Sequence, residues 1–207
     1  MKQVFCFLLI FAMICSVFTV FAEDSFSFRN GISIEDSIED VIAKEKTDCE
    51  KHTDSRGMQV LTYNNLVLSS ISDSSLEYYF NDEHLDFIFL VYGKQRLMLL
   101  NNEYHTYNYK LIEDGLITKY GEMDPEFSLD NIQTYYGCVL NNVKTNEPQN
   151  VVEWSHREIP TSNGKTIIIE HLLLGRPFYG EVRYGHYLSY KIVSPGEESV
   201  DLVTSDL

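Results

Sequence analysis

The stretch LEYYFNDEHLDFIFLVY, residues 76–92, decides the fold class. Its two apolar runs, 76–80 and 85–92, are rich in the aromatic and β-branched residues that are enriched in strands. The polar residues between them, Asn81 to His84, are typical of a hairpin loop. Two strands joined by so short a loop pair in antiparallel fashion. The stretch therefore predicts an antiparallel β-hairpin.

A helix is predicted upstream of this hairpin, over residues 34–46. Its apolar residues recur with the spacing of a single helical face: Ile34, Ile38, Val41 and Ile42. Ser37 and Asp40 have the spacing of a capping box, with Asp in place of the usual Glu. Between helix and hairpin, the sequence predicts a polar loop and two short strands separated by turn signals: loop 47–57, strands 58–63 and 66–69, and turns at 64–65 and 72–74.

A second helix is predicted over residues 103–120, because apolar residues recur on one face and Gly121 and Pro125 then end the pattern. The predicted face consists of Tyr104, Tyr107, Leu111 and Leu116, with Ile112 beside them. Four further strands are predicted downstream: 134–140, 151–159, 166–174 and 187–193. The glycine-punctuated segment 176–185 is predicted to connect the last two of them.

The order helix, strands, helix, strands predicts an α+β fold. It further predicts two tandem helix–antiparallel-sheet units, with the helices packed on one sheet face. The first unit spans 23–93, the second spans 94–195, and 196–207 form an acidic C-terminal tail. A sheet with helices on one side leaves its other face open to solvent or to a partner.

The first 22 residues have the layout of a secretory signal peptide. Lys2 supplies the basic start, the run from Val4 to Phe21 is almost wholly apolar, and Ala22 closes a small-residue cleavage pattern. The run is also about as long as a membrane-spanning helix, so a retained anchor is an alternative. Lipidation at Cys15 is a second alternative. Cleavage after Ala22 predicts an extracytoplasmic protein, either secreted or at the cell surface.

The charge balance limits the class of partner. The chain carries 31 acidic and 16 basic side chains, for a formal net charge of −15. Phosphate recognition needs clustered Lys and Arg, so this balance argues against a nucleic-acid partner. It also argues against electrostatic attachment to anionic lipid, and no membrane association is expected after signal cleavage. A protein or a cell-wall glycan is the expected kind of partner, and no cofactor is indicated.

Cys49 and Cys138 are the cysteines that remain after the predicted cleavage. Exported chains meet oxidising conditions, so the two could form a disulfide. In the chain-entropy model such a bond would stabilise the fold by roughly 4–5 kcal/mol. Two separate buried thiols are the alternative. The sequence contains neither a C-x-x-C pair nor an H-x-x-x-H pair, so no metal site is predicted.

The most suggestive binding surface is the stretch from Gly175 to Lys191, where tyrosines are interleaved with a basic cluster. Interfaces concentrate Tyr and Arg. The candidate binding residues are Arg176, Tyr179, Arg183, Tyr184, His186, Tyr187, Tyr190 and Lys191. The alternative is an amphipathic strand pair whose tyrosine rings are buried and whose hydroxyls reach solvent.

No catalytic residues are predicted, because the G-x-S-x-G, G-x-x-x-x-G-K and H-E-x-x-H motifs do not occur in the sequence. Cys138 could act as a nucleophile with His156, His171 or His186 as its base, which leaves a hydrolase as the alternative function. His171 also fits a core-facing row in the strand 166–174. The favoured function is a non-catalytic binding or assembly module, and a purely structural envelope component is the third hypothesis.

Residues 28–45 resemble the opening of a group of exported Gram-positive proteins. Here the motif reads Phe28-Arg29-Asn30-Gly31-Ile32, followed by Ser37-x-x-Asp40-Val41-Ile42-Ala43-x-Glu45. Three further segments fit the same pattern: Leu61-x-Tyr63, Leu76-x-Tyr78-x-Phe80 and Leu116-x-x-Lys119-Tyr120-Gly121. These proteins are similar to tandem versions of the module found in beta-lactamase-inhibitor proteins and in the SmpA/OmlA envelope lipoproteins. The resemblance implies that fold over residues 26–194, with a binding or assembly role. Glu35-Asp36 departs from the Gly-Met that usually precedes the cap.

Overall fold

The computed structural model describes residues 26–93, 102–125, 150–178 and 181–196. Two α-helices lie within these ranges, α1 (Ile38–Glu45) and α2 (Asn102–Tyr120). The seven strands are β1 (Glu50–Thr53), β2 (Gln59–Leu68), β3 (Ile71–Asn81), β4 (His84–Val91), β5 (Asn150–Pro160), β6 (Thr166–Phe178) and β7 (Glu181–Val193). The predicted signal 1–22, the predicted strand 134–140 and the tail beyond 196 lie outside the described residues.

All seven strands join in one sheet in the order β1-β2-β3-β4-β7-β6-β5, and every neighbouring pair is antiparallel. The two halves of the chain meet where β4 pairs with β7, with Ile88 opposite Tyr190. The prediction of an α+β fold with antiparallel strands is confirmed at this level. The architecture is mostly β, and its strands form one continuous sheet.

Several boundaries in the sheet differ from the predicted ones. Asn65 and Asp73 were predicted to lie in turns, but they lie inside β2 and β3, where each adopts a positive φ of 56°. The register between the two strands shifts beside Asn65, so the chain forms an irregularity there without reversing direction. The segment 47–57, predicted to be a loop, contains the short strand β1. The prediction of a connection over 176–185 was wrong, because β6 and β7 extend into that segment.

α1 is shorter than predicted because its cap fixes where it begins. The Ser37 side chain accepts a hydrogen bond from the Asp40 backbone N–H at 3.2 Å, and the Asp40 carboxylate accepts from the Ser37 N–H at 3.1 Å. This reciprocal pair is the predicted capping box. Ile34 therefore lies before the helix, although it is buried in the same core as Ile38 and Val41.

The bounds of α2 are confirmed to within one residue, and the Gly121 N–H bonds the Ile117 carbonyl at 2.9 Å to close the helix. Its predicted apolar face is only partly buried, because Ile112 and Leu116 are buried and Tyr104 is 38% exposed. Tyr107 is 67% exposed and Leu111 is 47% exposed. The buried face instead consists of His105, Asn108, Tyr109, Ile112 and Leu116. Two of these residues are polar, so hydrophobic spacing alone did not reveal the face.

The principal core lies between the helices and one face of the sheet. Ile38 and Val41 of α1, together with Ile112 and Leu116 of α2, belong to one apolar cluster with Leu188 of β7. Both helices therefore pack on the same sheet face. The opposite face was expected to be open, but its central side chains are buried in a second apolar cluster: Phe87, Phe89, Trp154, Leu172 and Leu174. In the described part of the chain, neither helix is both long enough and apolar enough to span a membrane.

Candidate functional site

The predicted binding residues of β7 are divided between the two faces of the sheet. Side chains alternate between the two sheet faces along a strand. Tyr190 packs against the principal core, so Tyr190 and His186, four residues before it, both face the helices. Tyr187 packs against the second apolar cluster on the opposite face, the side to which alternation also assigns Arg183 and Lys191. Arg176 pairs with Arg183 through the backbone, and Tyr179 lies outside the described residues. The structure thus does not bring the predicted set together on one face.

On the helix side, β5 and β6 present a buried polar network to α2. The Glu113 carboxylate of α2 accepts hydrogen bonds from Arg157 Nη2 at 2.5 Å and from Ser155 Oγ at 2.7 Å. Arg157, whose side chain is only 2% exposed, also donates from Nε to the Gly121 carbonyl at 2.8 Å. A buried guanidinium needs such partners because charge is costly to remove from water. The network joins the middle of α2, at Glu113, and the residue that follows the helix, Gly121, to β5.

Two buried imidazoles extend this network to β7. His171 Nδ1 lies 2.9 Å from Glu113 Oε2, and His171 Nε2 lies 2.7 Å from His186 Nε2. An ionised carboxylate can only accept, so the His171 proton is on Nδ1 and its Nε2 accepts from His186. Tyr109 stacks on the His171 ring at a centroid distance of 4.0 Å. His171 therefore lies in the core-facing row, as predicted.

The protonation states in this network follow from burial and hydrogen bonding. Burial opposes ionisation of Glu113, but the bonds from His171, Arg157 and Ser155 outweigh it and lower the pKa of Glu113 to about 2. Burial lowers the pKa of His171, although the carboxylate favours its charged form. Burial, reinforced by His171 and His105, holds the pKa of His186 well below its usual value. At neutral pH the carboxylate is therefore charged and both imidazoles are neutral.

A pocket of about 440 Å³ lies between α2 and the sheet, next to this network. We call it the helix–sheet pocket. Its sheet side is formed by Leu76, Tyr78, Ile88, Leu90, Tyr92, Leu188 and Tyr190, and its helix side by Leu111, Ile112, Gly115, Leu116, Lys119 and Tyr120. Phe28, Arg29, Ser69 and Ser70 complete the described lining. Most of these side chains are apolar or aromatic, as is typical of small-molecule sites.

Two cations lie at the rim of the pocket, near the segment that crosses the end of α2. Lys119 Nζ donates to the Ser27 carbonyl at 2.7 Å and lies 4.8 Å from the centre of the Tyr120 ring. Arg29, two residues beyond Ser27, pairs with the buried carboxylate of Glu45 at 3.0 Å. The Tyr78 hydroxyl donates to that same carboxylate. The Arg29 charge is therefore paired with Glu45, whereas Lys119 contacts a neutral carbonyl and an aromatic ring.

The other candidate residues are His156 and the two cysteines, Cys49 and Cys138. His156 is fully buried on the second sheet face, with Nδ1 3.5 Å from the Glu170 carboxylate. Cys49 is half-buried, and its predicted partner and alternative nucleophile, Cys138, lies outside the described residues, so both hypotheses stay predictions. Within the described ranges, no three or more His, Cys, Asp and Glu side chains are grouped to hold a metal ion.

Neither the pair Glu113 and Arg157 nor the pair Arg29 and Lys119 was predicted from the sequence to belong to a site. These pairs are far apart along the chain, and no spacing rule connects a helix residue with a strand residue 44 positions away. The only signal was indirect, since Glu113 follows Ile112 near the middle of a predicted helix. No protein-family model matches the chain, and neither the curated proteins nor the solved structures contain a match.

Proposed function

We propose that this protein is an extracytoplasmic binding protein without catalytic activity, and that it holds an apolar small molecule in the helix–sheet pocket. The observation that carries the proposal is the pocket itself. Its volume of about 440 Å³ lies within the roughly 300–1,000 Å³ of typical ligand sites. Buried residues such as Leu76, Ile88 and Leu188 line it, so an apolar occupant would remove little polar surface from water.

The state of the histidines supports a non-catalytic role. The Nε2 atoms of His171 and His186 bond to each other, and both residues are at most 1% exposed. A general base must reach the proton that it abstracts, and these ring atoms are already engaged. The alternative function, a hydrolase built on Cys138, would need one of these rings or the buried His156 to become accessible.

A protein or a cell-wall glycan is the second candidate ligand, and it would bind a different surface. Arg183, Tyr187 and Lys191 share the sheet face opposite the helices, and each is half-buried. Arg183→Ala and Tyr187→Ala should weaken capture of such a partner from the source organism's envelope. Capture that is equally strong with both variants would rule out this face.

The finer organisation, two tandem helix–sheet units, also belongs to this proposal. Each half of the chain has a helix followed by an antiparallel meander, and the last strands of the two meanders, β4 and β7, pair at the centre. The helices differ in length, with 8 residues in α1 and 19 in α2. Superposing β2–β4 on β5–β7 in an experimental structure would test the repeat, and a failure to superpose would refute it.

The binding role can be tested at Gly115, a pocket-lining residue of α2. A Cβ added there meets no atom within 4 Å, so Gly115→Ala should fold and should gain helix propensity. Gly115→Phe should obstruct the pocket with little change in the core. The ligand to use is N-phenyl-1-naphthylamine, a neutral apolar dye whose fluorescence rises in an apolar site.

We expect saturable dye binding by the parent and by Gly115→Ala, and binding weakened at least about tenfold in Gly115→Phe. Both variants should keep the parent's circular dichroism spectrum. The proposal would be wrong if the parent bound no dye, or if the bulky and small substitutions left binding equally strong.

A further inference from the structure

We infer that the pocket's natural ligand is an acidic amphiphile, a free carboxylate with a single hydrocarbon chain, whose head binds at Arg29 and Lys119. This inference rests on the proposed function, because it names the class of ligand for the same pocket. It is carried by the charge of Lys119 and by the guanidinium donors of Arg29, whose own charge is paired with Glu45 behind the pocket lining.

The described residues that line the pocket include Arg29 and Lys119 but no Asp or Glu. The whole chain contains 31 acidic side chains against 16 basic ones, so the charge of Lys119 is opposite in sign to the net charge of the chain. Pockets place their few polar groups where they orient a ligand. A mostly apolar lining with the ammonium of Lys119 and the remaining N–H donors of Arg29 at one end is complementary to a molecule with an anionic end and an apolar body.

Lys119 is the more exposed of the two cations. Its ammonium donates to the Ser27 carbonyl and lies over an aromatic ring. Both partners are neutral, so they orient the side chain without cancelling its charge. A carboxylate here would gain a charge-assisted hydrogen bond, which is about twice as strong as a neutral one.

Arg29 is held in place for a second contact. Its Nη2 bonds the buried carboxylate of Glu45, and its side chain is 35% exposed. Guanidinium has five N–H donors, so the Glu45 bond leaves others for a ligand. Glu45 is itself bonded by Tyr78 and by Asn30, which fixes the position of the pair.

The body of the ligand would lie along the apolar interior. Leu76, Ile88 and Leu188 rise from three adjacent strands, and Ile112 and Leu116 face them from α2. These five side chains are aliphatic and have no polar atoms. A hydrocarbon chain is more complementary to such a surface than a sugar or a peptide, because either of those would bury unpaired polar groups.

The experiment compares three ten-carbon probes that differ only in the head: decanoate, 1-decanol and decylamine. Binding is measured by calorimetry at pH 7.5, below the concentration at which the probes form micelles. Decanoate should bind about tenfold more tightly than decanol, the gain expected from one charge-assisted contact. Decylamine should bind most weakly. Lengthening the acid from eight to ten carbons should tighten binding about fourfold per methylene.

Variants then assign the head-group contact. Lys119→Gln should remove the preference for decanoate over decanol. Arg29→Lys, which keeps the charge that Glu45 needs, should reduce the preference partly. Lys165→Gln is the matched control, because that lysine pairs with Glu35 away from the pocket, and it should keep the full preference. A thermal melt of each variant confirms that it is folded.

The outcomes separate the two proposals. If decanol or decylamine bound as tightly as decanoate, or if Lys119→Gln kept the preference, the acidic-amphiphile inference would be overturned while the apolar pocket stood. If none of the probes and no neutral dye bound, the binding function itself would be refuted along with the inference.

Discussion

Glu113→Gln is the substitution that the buried network makes most informative. The glutamine has nearly the same shape but lacks the negative charge, and one of its two oxygens is replaced by an NH₂ group. In the protein that carboxylate accepts from Arg157, Ser155 and His171. After substitution, at least one of these donors faces another donor, and the guanidinium loses its only described anionic partner.

The expected cost follows from the burial of Arg157. Its side chain is 2% exposed and that of Glu113 is 15% exposed, so water can replace little of the lost interaction. Removing one member of a buried ion pair typically costs about 3–5 kcal/mol of unfolding free energy. For a chain of this size each kcal/mol lowers the melting temperature by about 2–4 °C, so the transition should fall by roughly 6–20 °C.

The assay is urea unfolding at pH 7.5, followed by circular dichroism, with a melt as a second readout. Glu158→Gln is the matched control, because it removes a carboxylate from the same strand as Arg157 at a side chain that is 47% exposed. Exposed ion pairs contribute roughly 0–1 kcal/mol, so this variant should be nearly as stable as the parent. The double variant Glu113→Gln/Arg157→Met should recover part of the loss, since it removes the unpaired buried charge.

Two results would refute the reasoning. A loss below about 1 kcal/mol for Glu113→Gln would show that the carboxylate does not neutralise a buried guanidinium. A double variant less stable than the single one would show that Arg157 contributes through contacts other than this pair.

Three further predictions concern the imidazoles, the helix cap and the export signal. Folding lowers the pKa values of His171 and His186 below the ordinary histidine value of 6.5, so the unfolded chain binds more protons than the folded chain as the pH falls below 6.5. Stability should therefore fall between pH 7 and pH 5, and a pH-independent urea midpoint would contradict this. Ser37→Ala should cost about 1 kcal/mol, and an unchanged midpoint would show that the capping box is dispensable. The exported protein should begin at Glu23 by intact mass, whereas a product that retains residues 1–22 would favour an anchor.

The features that the sequence predicted well are those with a local cause. The capping box of α1 and the stop at Gly121 each depend on a few neighbouring residues, and both were found where the sequence placed them. The hairpin between β3 and β4 was also predicted, because Asp82 and Glu83 form the tight turn with positive φ values. Local chemistry decided these positions, so no knowledge of distant partners was needed.

The features that the sequence missed depend on distant partners. The strand β1 consists entirely of exposed residues, so its sequence has no apolar alternation from which the strand or its pairing with β2 could be predicted. The buried face of α2 includes His105 and Asn108, which only tertiary contacts make internal. The pocket forms where the segment around Arg29 meets the end of α2, and residues about 90 positions apart therefore create its charged rim.

The most direct test of the central claim, that ligand binds between α2 and the sheet, is a methyl NMR titration of the full exported chain with decanoate. We predict shifts at the pocket methyls of Ile88, Ile112 and Leu188. The methyls of Leu172 and Leu174, which lie on the opposite sheet face, should change little. Shifts confined to Leu172 and Leu174, with the pocket methyls unmoved at saturation, would contradict the account.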